Sequence, residues 1–140
     1  MAGILSKETT LSYKASGGSS FIEIPLLMEV PEIGGDPEKV EVTTLKDNVK
    51  KYIPGIKDLG DLAFNFLYDN STATSNYRVL NGLSEANTLA TYQLEYPDGT
   101  THEFDAYVSV KMGAAAVNAA LMFTATFSLQ SDITVTNPTT

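Results

Sequence analysis

Ala90-Thr91-Tyr92-Gln93-Leu94-Glu95-Tyr96-Pro97-Asp98-Gly99-Thr100 leads into Thr101-His102-Glu103-Phe104-Asp105-Ala106-Tyr107-Val108-Ser109-Val110-Lys111, and these two runs decide the fold class. In the first, Ala90, Tyr92, Leu94 and Tyr96 alternate with Thr91, Gln93 and Glu95. In the second, Phe104, Ala106, Val108 and Val110 alternate with Glu103, Asp105, Ser109 and Lys111. Side chains on a strand point to opposite faces in turn, so each run has one apolar and one wet face. Pro97-Asp98-Gly99 between them is a hairpin turn: proline presets φ, and Asp-Gly accepts positive φ at low cost.

The same period of two recurs outward along the chain. Ile22, Ile24, Leu26, Met28 and Val30 share a face in the run Phe21 to Val30, with Glu23 and Glu29 opposite. Val40 to Thr44 alternates, as does Leu62, Phe64, Phe66, Tyr68. A long final strand sets Val117, Ala119, Leu121, Phe123, Ala125, Phe127 and Leu129 against polar neighbours, and Ile133 and Val135 extend it after a bend. Leu11 to Ala15 is a weaker strand. One segment departs from the pattern. Ala73, Tyr77 and Leu80 are spaced four and three apart, which predicts a helix over 71–83, capped by Asn70 or Ser71 and ending near Gly82. The reading is mainly β: one domain, 1–140, a β-sandwich or partly closed barrel with one flanking α-helix and a loose C-terminus at 137–140.

Two connections stand out. Pro31 to Glu38 is dense in turn formers. Residues 46–61 form a link that is long for so small a domain, and such loops tend to carry function. It holds Lys46, Lys50, Lys51 and Lys57 together with Val49, Tyr52, Ile53, Ile56 and Leu59. A solvated linker would carry few apolar side chains; a loop that docks on another surface needs them.

Composition removes several chemistries. With no cysteine, disulfides, thiol nucleophiles and cysteine metal sites are excluded, and one histidine excludes multi-histidine sites within a chain. The formal charge of −8 opposes binding to nucleic acid through phosphates. No apolar run reaches membrane-spanning length, and the N-terminus lacks the basic and apolar regions of a secretory signal. Asn70-Ser71-Thr72 matches a glycosylation sequon by chance on that reading. His102, with Glu103 and Asp105 close in sequence, reads as a locally bonded strand residue rather than a general base. Asp58 with Asp61, and Asp98 with Glu103 and Asp105, lack the spacing of a calcium loop and read as solvated charges. No catalytic, metal or cofactor site is expected. As a set, Glu23, Glu29, Glu41, Glu95, Glu103 and Asp105 lie on polar strand faces, and a ring of subunits could turn such a face toward a channel that repels DNA phosphates.

The run Pro31-Glu32-Ile33-Gly34-Gly35-Asp36-Pro37-Glu38-Lys39-Val40-Glu41-Val42-Thr43-Thr44-Leu45 resembles the major tail, or tail tube, proteins of long-tailed non-contractile bacteriophages and prophages. So do Tyr52 to Leu62, continuing through Phe64 to Asn70, and the shorter stretches Tyr96 to Thr100, Val117 to Leu121 and Ser131 to Thr136. The resemblance implies a structural virion protein rather than an enzyme. It implies hexameric rings whose inner sheets join around a lumen, stacked through a long loop, with genome DNA passing down the lumen without sequence-specific contacts. It makes residues 46–61 the stacking loop, with Lys46, Lys50, Lys51, Tyr52, Ile53, Ile56 and Lys57 as contacts, and the six acids candidate lumen lining. Expected partners are further copies of itself, a tape-measure protein, and tail terminator and distal tail proteins, with assembly in the host cytoplasm and residence in the virion. Rival readings are a monomeric carbohydrate-binding or adhesion sandwich, a small hydrolase built on His102, and a tube protein of a contractile injection device.

Overall fold

A computed structural model of the chain describes residues 7–15, 18–34, 37–57, 60–113, 117 and 119–138. Its strands are β1 (Thr10–Lys14), β2 (Ile22–Ile24), β3 (Leu27–Glu29), β4 (Pro37–Glu41), β5 (Tyr52–Lys57), β6 (Asp61–Leu67), β7 (Ala90–Glu95), β8 (Thr101–Met112), β9 (Met122–Leu129) and β10 (Thr134–Thr136). One helix, α1 (Asn76–Glu85), stands between β6 and β7. The main antiparallel sheet has the order β2-β1-β7-β8-β9-β6-β3, with β10 also on β8, while β4 and β5 form a separate pair.

Strand β8 carries the architecture because it belongs to two layers. Its first half pairs with β7 on one edge, from Thr101↔Glu95 to Ala106↔Ala90, and with β10 on the other. From Ala106 onward it pairs with β9 instead, ending at Met112↔Phe123. The layer β2-β1-β7-β8 thereby continues into the layer β8-β9-β6-β3. The curvature is strong: the rings of Tyr92 on β7 and Phe127 on β9 lie 4.4 Å apart although β8 runs between these strands. The two ends of the sheet, β2 and β3, are consecutive in the chain and separated only by Pro25-Leu26. The sheet therefore curls until its ends nearly meet, without closing a hydrogen-bonded barrel.

Inside the curl lies one apolar cluster that includes Leu11, Ile24, Leu62, Phe64, Phe66, Leu80, Tyr92, Leu94, Phe104, Phe123 and Phe127. Those from β6, β7, β8 and β9 are the inward positions that alternation assigns on these strands. Each fully buried Leu or Phe contributes roughly 1.5–3 kcal/mol of transfer free energy, so this aromatic-rich interior is the main stabilising term. Helix α1 presses Tyr77, Leu80 and Leu83 on the cluster. Its first residue, the fully buried Asn76, ties the seam: the Asn76 amide donates to the carbonyls of Pro25 (2.9 Å) and Leu67 (2.8 Å). One polar side chain thus holds the β2–β3 crossover to the end of β6.

Several expectations are corrected. Phe21 to Val30 is not one strand. Pro25 lacks an amide hydrogen and Leu26 takes a left-handed φ of 67°, so the ladder breaks and changes layer there. Of the predicted buried face only Ile24 is buried, while Ile22, Leu26 and Met28 are exposed. The helix starts at Asn76 rather than residue 71, and Ala73 lies outside it, exposed. Neither Asn70 nor Ser71 caps it; the cap position is Ser75, whose hydroxyl accepts from the Thr72 amide (2.9 Å) and donates to Asp69 (3.1 Å). Gly82 is interior, and the stop lies at Asn87, φ 51°, where Asn87 N–H reaches Ser84 O and Thr88 N–H reaches Leu83 O. The last strand begins at Met122, not Val117, which is exposed: the alanine-rich stretch before it offers little for a sheet face to bury. Val135 does not prolong β9 but returns on β8 opposite His102. Met1 to Ser6, Ser16, Gly17, Gly35, Asp36, Asp58, Leu59, Ala114 to Ala116, Asn118, Thr139 and Thr140 lie outside the described residues.

Candidate functional site

The segment expected as a loop over 46–61 is largely a β-hairpin. Strands β4 and β5 pair through Glu41↔Tyr52, Val40↔Ile53 and Lys39↔Pro54, then shift register before Pro37↔Lys57. Gly55 sits at the shift, where a Cβ would meet the Glu38 carbonyl at 3.0 Å, so the strands approach closely because this residue has no side chain. The pairing sorts the side chains. Val40, Val42 and Ile53 fall on one face; Lys39, Glu41, Tyr52 and Pro54 fall on the other. Val42, Tyr52, Ile53 and Ile56 are all exposed, and among the described residues the hairpin packs on no other element to a substantial degree. A lone two-stranded hairpin is marginal in water, and apolar residues open on both faces mark a surface that is built to be covered.

The tip, residues 42–51, is ordered by polar contacts. Val42 N–H donates to Lys51 O (2.9 Å), and Lys51 N–H donates to the Thr43 hydroxyl (2.9 Å). Asp47 accepts from the Thr44 amide (2.8 Å) and the Thr44 hydroxyl (3.1 Å), and pairs with Lys51 Nζ at 2.9 Å. These hydrogen bonds, the Thr44 amide first, hold the Asp47 carboxyl below the usual carboxylate range. Lys51, expected as a cation reaching outward, is therefore engaged within its own hairpin. Lys46, Lys50, Leu45 and Val49 are exposed around the tip, Leu45 completely so. For Lys57 the backbone pairs with Pro37, and its side chain lies outside the description.

The six candidate acids do not share one surface. The cross-strand row Glu23–Ser12–Gln93–Glu103, with Glu95 beside Thr10 and Thr101 and Asp105 beside Thr91, puts four of them on the outer face of the first layer. Diagonal and same-strand neighbours there stand roughly 7 Å apart, close enough for like charges to repel. Asp105 accepts from the Thr91 hydroxyl at 2.6 Å. Glu29 lies opposite Asn65 on the outer face of the second layer, and Glu41 lies on the hairpin. Around Glu29 the second outer face is rich in hydroxyls: Thr124, Thr126, Ser128 and Ser109, with Thr124 bonded to Asn65 at 2.7 Å.

His102 does not meet the carboxylates beside it in sequence. It faces the same side as Phe104, paired with Leu94, whereas Glu103 and Asp105 point to the opposite side. Its Nδ1 instead meets the Tyr96 hydroxyl at 3.2 Å, ring edge to ring face. Asp98 accepts from the Thr100 amide in the hairpin turn, which lowers its carboxyl, and Asp61 pairs opposite Ser128 on β6. Among the described residues the exposed aromatics are Tyr52 and Tyr107, one on the hairpin and one on β8, and they form no platform for a sugar ring.

Comparison with curated protein sequences returns no match. Solved structures share the fold at low identity. A chain of the anti-feeding prophage baseplate aligns at TM-score 0.73 and 15% identity, covering 98% of this chain and 97% of that one. A chain of the tail of an empty gene transfer agent particle aligns at 0.74 and 14%, covering 96% and 99%. The SPP1 tail tube aligns at 0.71 and 10%, covering 97% and 80%. Residues 7–138 match the family of phage tail tube proteins, nearly end to end, and the chain belongs to that family.

Proposed function

We propose that this protein assembles into hexameric rings that stack into a tail tube, the conduit for DNA during ejection. The observation that carries the reading is the Pro37–Lys57 hairpin, whose apolar side chains are exposed on both faces and which the other described residues leave uncovered. Tyr52, Ile53, Ile56, Val49 and Leu45 supply apolar anchors, and Lys46 and Lys50 supply charge that an acidic neighbour attracts. Rings joined head to tail make a heterologous contact that does not close, so the product is a filament. The outer sheet faces suit a channel for a polyanion. One carries four acids and the other mostly hydroxyls, and among the described residues neither offers the basic patch that would hold phosphates. The partners of such a tube are further copies of the chain, a tape-measure protein inside it, and terminator and distal tail proteins at its ends. The particle is the virion, assembled in the bacterial cytoplasm. The anti-feeding prophage baseplate is six-fold symmetrised and the gene transfer agent tail has C6 symmetry, which supports the ring size.

A second reading has its own support. Similar structures include the sheath/tube terminator of an extracellular contractile injection system, at TM-score 0.70 and 10% identity, as well as the anti-feeding prophage baseplate. On this reading the chain is a tube protein of a contractile injection device.

The test replaces Tyr52 and Ile53 together with glutamate. The double variant is expected to melt as the wild-type subunit does, because neither residue touches the core, yet to yield no tubes by negative-stain electron microscopy. Full-length tubes from this variant would remove the hairpin from the assembly interface.

A further inference from the structure

At the hairpin tip the exposure pattern is inverted. Leu45 and Val49 stand in solvent, while the Asp47 carboxylate is only 16% exposed. The Asp47 side chain joins both limbs of the tip: its oxygens hold the Thr44 amide and hydroxyl on the outgoing limb and Lys51 Nζ on the returning limb. Its own amide donates to Thr44 O at 3.0 Å, which closes the turn from the other side. With Lys51 N–H fixed on Thr43 and Val42 N–H on Lys51 O, the tip is braced without any apolar side chain turned inward. An isolated two-stranded tip lacking such a brace would sample many conformers, and its ordering entropy would weaken any docking step.

We propose that Asp47 is a positioning residue for assembly: through Thr44 and Lys51 it holds the tip in its docked shape before docking, so that Leu45, Val49, Lys46 and Lys50 are presented outward to the neighbouring ring. This role rests on the hairpin being the inter-ring element. It also divides the lysines of the tip by task. Lys51 neutralises Asp47 and completes the brace, and the cations offered to a partner are Lys46 and Lys50.

The experiment compares Asp47→Ala, Asp47→Asn and the Tyr52→Glu/Ile53→Glu double variant as purified subunits. Thermal melting, amide hydrogen exchange of the unassembled protein, and the protein concentration at which tubes sediment are measured on each. Asp47→Ala is expected to melt as wild type, to exchange faster at Thr44 and Lys51 only, and to need about tenfold more protein to assemble, because the tip must now be ordered during docking. Asp47→Asn falls between, since its amide oxygen still accepts from Thr44 but cannot neutralise Lys51. If the double variant blocks tubes while Asp47→Ala assembles at the wild-type concentration, the hairpin reading stands and the Asp47 role is wrong. If Asp47→Ala leaves exchange at the tip unchanged, the brace is not what orders it and the proposal also falls. If the double variant assembles normally, both readings fail together.

Discussion

The Tyr92 hydroxyl is buried and, among the described residues, has no hydrogen-bond partner, although its ring is stacked on Phe104 and tilted against Phe127 in the middle of the core. Alternation placed Tyr92 inward correctly. It could not show whether the hydroxyl would reach the rim, because that depends on where the facing strand lies. Burying an unpaired hydroxyl costs about 1–3 kcal/mol, so Tyr92→Phe should raise stability by about 1 kcal/mol, read as a higher denaturant midpoint with unchanged slope. Burial, with a smaller contribution from Tyr13, pushes the hydroxyl well above the ordinary tyrosine value near 10. In the unfolded chain this tyrosine loses its proton from about pH 10 upward, while in the fold it keeps it. The folded state then binds the extra proton, and stability falls as pH rises through that range. Tyr92→Phe should flatten this alkaline loss but not abolish it, because burial also raises the Tyr96 hydroxyl. An equal loss in both proteins would show that Tyr92 is not the group responsible.

Helix α1 shows which signals a sequence exposes at the level of an element and which it hides. Tyr77 and Leu80 were legible as its inward face, but its ends were not. Its start is fixed by the side-chain network of Asp69, Ser71, Thr72 and Ser75, a turn of its own held by short polar residues. Its end is set by Asn87 in the left-handed region, where the more familiar glycine signal at Gly82 is a decoy. Gly82 has an ordinary helical φ, and a Cβ added there would meet nothing within 4 Å. Gly82→Ala should therefore stabilise the subunit by roughly 0.5–1 kcal/mol, measured by chemical denaturation; a loss would mean that the helix lies against something at this point. Strands β6 to β9 were readable because each has one wet and one dry face. The Phe21 to Val30 run was not, because Pro25 and Leu26 carry the chain from one layer to the other while the apolar spacing continues unbroken across them. The hairpin was half legible. The alternation of Val40 to Thr44 marked one limb, but its pairing with β5 was hidden, since Tyr52 and Ile53 put apolar groups on both faces and lack the alternation that a core imposes.

For the molecule as a whole the balance to settle is charge against burial. Each subunit carries a formal −8, and four acids share the outer face of the first layer with Lys14 among the nearest cations. Under the proposed assembly, copies approach one another through apolar hairpins while their net charges repel. The attraction offered by Lys46 and Lys50 acts over a short range at the tip, whereas the repulsion sums over every acid within a screening length. That length is about 30 Å at 0.01 M salt and about 8 Å at 0.15 M, so low salt lets distant acids on neighbouring subunits add together. Tube formation should accordingly improve as salt rises from 0.01 M toward 0.15 M, the sedimenting fraction growing at fixed protein concentration. Replacing Glu95 and Glu103 by glutamine removes two charges from the crowded outer face of the sheet, opposite its core side, so the subunit should melt within about 0.5 kcal/mol of wild type. The same variant should assemble more readily at low salt and show a shallower salt dependence. Wild-type assembly that is strongest at 0.01 M and declines as salt is added would reverse the argument, and would mean that lysine-to-acid attraction at the hairpin outweighs the repulsion of the sheet faces.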